Sequence, residues 1–147
     1  MSESKSERLL AAQRHNKLEQ IKALGYPVYP NTAEATHSLG QILSQYQNAP
    51  KLVLETERID VKIRGRIVAM RGQGKAGFIN ISDGDYRLQV YLRKDDLGEK
   101  LFKLYRLLDL GDFVGVKGYL FRTRTEELTV HAENIVLLAK SLLPLPE

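Results

Sequence analysis

Two hydrophobic rhythms divide this chain, a helical one before about residue 57 and a mostly alternating one after it. Residues from about Lys5 to Leu24 are largely polar, with Leu18, Ile21 and Leu24 as a late apolar stripe, and Gly25 with Pro27 ends the helix that this predicts. Such a helix is marginal alone and needs a surface to dock on. In YPVYPN each proline fixes its own backbone angle and biases Tyr26 and Tyr29 toward extended conformations, which predicts a rigid linker or hook. A second short helix follows, with Ser38 and Gln41 spaced as a capping box and Leu39, Ile42, Leu43 and Tyr46 on one face.

From Glu57 the texture is that of strands. IDVKIRGRIVAM turns Ile59, Val61, Ile63 and Ile67 inward, with Gly65 where a curled strand bends. FINIS turns Ile79 and Ile81 inward and leaves Phe78, Asn80 and Ser82 on the other side. RLQVYLR repeats the split, with Leu88, Val90 and Leu92 facing in and Arg87, Gln89, Tyr91 and Arg93 facing out. The segments RGQGKAG and SDGDY read as turns into these strands. The period then becomes helical from Asp95 to Leu108, through Leu97, Leu101, Leu104 and Leu108, and Asp109 with Gly111 closes it. Two more strands, DFVGVKGYLFRTR and LTVHAENIVLLA, meet at a charged tip around Thr125 and Glu126.

Three strands, a helix and two strands is the order of the OB-fold, a five-stranded, partly open Greek-key barrel. The predicted class is therefore mainly β, with residues 1–56 as a helical extension and linker and residues 57–147 as the barrel. This fold binds oligonucleotides through strands two and three and through the loops joining strands one to two and four to five. An aromatic ring on the polar side of a strand, flanked by amides and guanidinium groups, suits stacking on and reading of bases. The candidates are Phe78, Asn80, Arg87 and Gln89 on the strands, Arg71 to Lys75 in the first loop, and Arg122, Arg124 and Glu127 in the second.

Charge distribution sharpens this picture more than the net charge of +4 does. Between Arg58 and Lys75 stand six basic residues, Arg58, Lys62, Arg64, Arg66, Arg71 and Lys75, against the single acid Asp60. Such a stripe neutralises phosphates. Its ordinary alternative is a solvated strand face whose charges discourage edge pairing. No apolar run approaches the roughly 18 residues of a membrane span, and the start lacks the pattern of a secretory signal. The absence of cysteine removes disulfides, thiol nucleophiles and Cys-based zinc sites, which suits a reducing cytoplasm. His15, His37 and His131 are too scattered for a metal site and read as solvated side chains.

Three glycine patterns fail as nucleotide motifs. Gly72, Gly74 and Gly77 match GxGxxG, but the dinucleotide fingerprint opens a helix whereas FINIS continues as a strand. A kinase-type loop lacks its catalytic-loop and metal-binding partners, and a P-loop fails at Ala69 and Ala76. No nucleophile and base pair is present in the pattern, so no catalytic residue is assigned.

The run from Ile63 to Pro146, with GRIVAMRGQGKAGFINISD, RLQVYLRKDD, LLDLGDFVGVKGYLFRTRT, ELTV and LLAKSLLPLPE, resembles the N-terminal anticodon-binding domain of class II lysyl-tRNA synthetases. KLEQIKALGYPVYP is similar to the segment before the barrel in that family. The resemblance implies recognition of a uridine-rich lysine anticodon, with Phe78 stacking on a base and Gln89 hydrogen-bonding a base edge. It implies that Glu127 accepts from a base N–H and that Arg66 contacts a base or the RNA backbone. Two positions depart from the pattern: Glu126 stands where the family's turn usually has Gly, and Gly77 replaces a common Ser.

No class II motif with its ATP-binding arginines appears, so this chain alone is expected to have no aminoacylation activity. ATP and Mg are expected only with a catalytic domain. The implied partners are a lysine-accepting tRNA and that catalytic domain, with a monomeric, cytoplasmic chain and no membrane. Two alternatives stand beside this reading: a single-strand binder with little base preference, and a protein-interaction module on the same barrel. Phe78 and Gln89 both point away from the core by parity, so replacing either is expected to leave stability nearly unchanged.

Overall fold

The computed structural model describes residues 5–24 and 34–142, and the expected YPVYPN turn lies outside them. Three helices come first, α1 (Lys5–Ala23), α2 (Leu39–Tyr46) and α3 (Lys51–Thr56). Strands β1 (Asp60–Gln73), β2 (Ala76–Ser82) and β3 (Arg87–Arg93) follow, then α4 (Lys94–Leu97), α5 (Glu99–Arg106), β4 (Phe113–Arg122) and β5 (Leu128–Ala139). The strands close into a barrel in the order β1-β2-β3-β5-β4, every pair antiparallel except β3 with β5. The long β1 serves two neighbours, pairing β4 over residues 60–66 and β2 over residues 66–73.

Alternation builds the core. Val61, Ile63, Ile67, Ile79, Ile81, Leu88, Val90 and Leu92 all point inward and are buried, as their parity requires. Leu18 and Ile21 of α1, Leu39 and Ile42 of α2 and Leu54 of α3 join the same cluster, so the helical extension shares the barrel's core. The Ser38 hydroxyl accepts from the Gln41 amide at 3.1 Å while the Gln41 side chain accepts from Ser38 N at 2.8 Å. This reciprocal cap is worth about 1 kcal/mol to a helix of only eight residues.

The helix expected from Asp95 to Leu108 is divided in two. Gly98 takes φ +86°, a left-handed conformation that ends α4 and lets α5 start in a new direction. The redirected α5 buries Phe102 and Tyr105 as well as Leu104, two rings that the leucine spacing alone did not identify.

One residue changes the faces of β1. Ile67 pairs with Ile81 and Ala69 with Asn80, so Val68 is an extra residue, a β-bulge. Strict alternation from Ile63 and Ile67 would send Arg71 inward. The bulge inverts the parity, and Arg71 lies opposite Phe78 on the outer face.

At the exit from β5, charges tie α1 to the barrel. Lys140 Nζ donates to Asp109 at 2.7 Å and to Asp112 at 2.5 Å, and its side chain has no exposed surface. Lys17 of α1 reaches the other Asp109 oxygen at 2.7 Å, and Arg14 donates to the Leu110 carbonyl at 3.1 Å. Burial alone would raise the Asp109 pKa, but hydrogen bonds from Lys140 and Lys17 outweigh it and hold the carboxyl below its ordinary value.

Candidate nucleic-acid interface

Cross-strand partners share a face, so the register defines a surface row by row. Arg71, Phe78, Tyr91, His131 and Tyr119 occupy one continuous row on β1, β2, β3, β5 and β4. The Phe78 and Tyr91 centroids lie 5.0 Å apart, Tyr91 and His131 5.3 Å, and His131 stacks on Tyr119 at 4.8 Å. The neighbouring row is Ala69, Asn80, Gln89, Thr129 and Phe121. Four rings follow Arg71 in the first row, while the second sets the amides of Asn80 and Gln89 and the Thr129 hydroxyl between Ala69 and the Phe121 ring.

Three site candidates from separate segments meet through hydrogen bonds. The Arg71 guanidinium lies 4.9 Å from the Phe78 centroid, and its Nη2 donates to Gln89 Oε1 at 3.3 Å. Gln89 Nε2 donates to Thr129 Oγ1 at 3.0 Å, and that hydroxyl donates to the Glu127 carbonyl at 3.1 Å. A relay thus runs from the end of β1 to the β4–β5 tip. It corrects one expectation: Gln89 faces outward by parity yet is only 7% exposed, because Arg71 and Thr129 engage both ends of its amide. Thr129, fully buried, was not among the candidates; it lies beside Gln89 only through the parallel β3–β5 pairing.

The other candidates separate by what engages them. Arg71 belongs to the extended β1, and the turn into β2 is reduced to Gly74 and Lys75. Lys75, Arg87, Arg124 and Glu127 have exposed side chains, and Asn80 is half-buried beside Gln89. Arg122 is consumed within the protein, donating to the carbonyls of Tyr46, Gln47, Ala49 and Glu126 at 2.6–3.2 Å. It fastens the α2–α3 connection and the tip to the barrel. Arg66 donates to the Gly111 carbonyl at 2.8 Å, at the far end of β1's pairing with β2 from Phe78. Neither guanidinium is directed at the Phe78 face.

His131 is not the solvated side chain expected. Its side chain is 16% exposed, its Nε2 lies 2.7 Å from Asp96 of α4, and rings surround it. Asp96 is 35 residues away, so no local pattern announces the contact. Tyr119 and Phe121 were legible in principle, since they alternate with buried Gly118 and Leu120. Burial raises the Tyr119 pKa and the nearby Asp96 adds to it, against Arg58, which stands 4.5 Å over the ring.

Both departures from the resembled pattern have a local cause or consequence. A Cβ on Gly77 would lie 2.0 Å from the Tyr105 hydroxyl, so a serine there requires this ring to move. Glu126 adopts φ +67°, where a side chain is strained and glycine is not. The tip keeps that shape with the Glu126 amide donating to the Thr123 carbonyl at 2.9 Å and Arg122 holding the Glu126 carbonyl.

Rings over amides on the β2–β3 face, beside a basic hairpin turn, are the layout by which OB barrels take up nucleic acid. Residues 61–138 match the tRNA anti-codon family of OB-fold nucleic acid binding domains. The chain belongs to this family. The curated relatives of this OB domain include a lysine–tRNA ligase of Onion yellows phytoplasma (strain OY-M), 44% identical over 134 residues. Those residues cover 91% of this chain and 26% of that ligase. The lysine–tRNA ligases of Legionella pneumophila (strain Lens) and Enterococcus faecalis (strain ATCC 700802 / V583) are 44% and 38% identical over the same share of this chain and 27% of their own lengths. The chain therefore spans about a quarter of the length of the relatives it matches, and its described residues form no catalytic domain beside the barrel. None of its helices is long and apolar enough to cross a membrane, among the described residues.

Proposed function

We propose that this OB domain binds the anticodon loop of a lysine-accepting tRNA in the cytoplasm, as the recognition part of a lysine–tRNA ligase, and performs no ATP- or Mg-dependent chemistry itself. The observation that carries the reading is the relay of Arg71, Gln89, Thr129 and Glu127 beside the Phe78 ring. In the free protein the planar guanidinium of Arg71 fills the place a base would take, over a ring and against an amide oxygen. A uracil entering there stacks on Phe78 and donates its N3–H to Gln89 Oε1. A cytosine presents a lone pair at N3 instead and leaves that oxygen unsatisfied, at a cost on the order of 1 kcal/mol. Arg71, displaced, turns to a phosphate.

Binding of the 147-residue chain to a lysine anticodon stem-loop, against a variant with the central uridine replaced by cytidine, tests this. Preference for the uridine loop, lost in Gln89→Ala, is the expected result; equal binding of both loops by the unaltered chain overturns base reading. The ring row from Phe78 to Tyr119 favours a second reading, a single-strand binder that stacks any base. Equal binding would select it.

A further inference from the structure

The cations on β1 and just before it serve different ends. Over residues 60–65 β1 pairs with β4 alone, and its other edge is covered at Lys62 by Thr36, whose N–H donates to the Lys62 carbonyl at 2.9 Å and whose Oγ1 accepts from Lys62 N at 2.8 Å. Arg58 is held by Asp60 and Glu133 at 3.0 and 2.7 Å, Arg66 by a carbonyl, and Arg71 by Phe78 and Gln89. Lys62 and Arg64 remain. Pairing of β1 with β4 sets Lys62 directly opposite Lys117 on the outer face, with Arg64 one outward position further along. Like charges opposite one another destabilise a strand pair. Among the described residues the charged groups of Lys62, Arg64 and Lys117 make no hydrogen bond or ion pair to offset this; Thr36 engages only the Lys62 backbone. The three line a concavity of about 300 Å³ with Asn134, and among the described residues its one acidic lining residue is Glu34.

We propose that Lys62, Lys117 and Arg64 form a second RNA contact, a backbone cradle for phosphates of the same RNA whose loop lies on Phe78. The inference rests on the base-platform reading and extends it to the far side of the barrel. Continuity selects RNA over an acidic protein as the occupant. Lys117 is two residues along β4 from Tyr119, the last ring of the row, so the cradle begins where the aromatic track ends. Three strand steps from Phe78 to Tyr119 and two residues along β4 amount to about 15 Å round the barrel and about 7 Å along it. A base held on Phe78 is thus several nucleotides from a phosphate in the cradle, and only an RNA longer than the contacted loop bases reaches both.

The test compares the 147-residue chain with the Lys62→Gln/Lys117→Gln variant, using the lysine anticodon stem-loop and its anticodon trinucleotide alone as a linear strand. The double variant removes a like-charge pair and should melt no lower than the parent. Its stem-loop affinity should fall about tenfold, and the salt slope should drop by about 1.4–1.8 for two lost phosphate contacts, with the linear strand bound as before. Glu34→Gln supplies a gain that misfolding cannot mimic, tighter stem-loop binding with the linear strand unchanged. Unchanged stem-loop affinity and slope in the double variant, while Phe78→Ala still weakens both RNAs, overturns the cradle and spares the platform. A polyglutamate peptide that binds the parent through Lys62 and Lys117 without competing with the stem-loop overturns it in favour of an acidic protein partner. Absence of stem-loop binding by the parent removes both readings.

Discussion

Lys140 has no exposed side-chain surface and is held between Asp109 and Asp112, whereas Lys75, Arg87 and Arg124 stand exposed around the Phe78 face with no acid among the described residues held against them. The same kinds of side chain have opposite tasks in the two regions. At the β5 exit two lysines and two aspartates, with backbone donors from Asp109 and Ser141, satisfy one another and join α1 to the barrel. On the face, Arg71 rests on a ring and an amide that a ligand can claim. The lesson is that a cation locked among buried carboxylates supports the fold, while one that rests on exchangeable partners is available to a ligand.

The largest expected effect lies in the clasp. Lys140→Ala strands the fully buried Asp112 carboxylate and should cost about 3–5 kcal/mol of stability in urea unfolding, with RNA affinity unchanged in the protein that remains folded. A loss of affinity without a loss of stability would dissolve the contrast between the regions. Phe78→Ala reverses the pattern. It should weaken every anticodon loop by about 1–3 kcal/mol, measured by titration, and leave the melting temperature nearly unchanged.

Gln89→Ala falls between, and the relay explains why. Its amide links Arg71 to the buried Thr129, so the substitution should lower stability by about 1 kcal/mol and also reduce the uridine preference by a similar amount. Stability loss with intact discrimination would make Gln89 a purely internal strut. Lys75→Ala, at the tip of an exposed turn, should only reduce the salt slope by about 0.7–0.9 without altering base preference. The smallest effect is that of acid. Because the folded Asp109 pKa is depressed, its stabilisation is fully present above the ordinary carboxylate value of about 4 and is lost as pH falls through the folded pKa. Urea midpoints between neutral and strongly acidic pH should show this loss in the parent and less of it in Lys17→Met.

What could be read from the sequence depended on how local its cause was. Phe78 stood out because Ile79 and Ile81 flank Asn80 in clean alternation, and the structure keeps that parity residue for residue. The order of five strands was legible for the same reason. Gln89 had the right parity and the wrong burial, since its cover comes from Arg71, whose orientation depends on a bulge that the apolar pattern hides. His131 and Thr129 depend on β3 meeting β5 in parallel, a pairing between segments some forty residues apart with no local signature. Arg122 read as a ligand contact because its carbonyl acceptors are mostly more than seventy positions earlier.

The extra residue Val68 makes the effect of a length change in β1 depend on where it falls. Deleting Val68 itself would close the bulge and leave Ile67 opposite Ile81, Ala69 opposite Asn80 and Arg71 opposite Phe78. Deleting Met70, in the regular run beyond the bulge, would instead turn Arg71 toward the apolar interior, and the relay would lose its first member although every residue that remains was unaltered. The bulge is thus the one point in this strand where a residue can be lost without turning the face over.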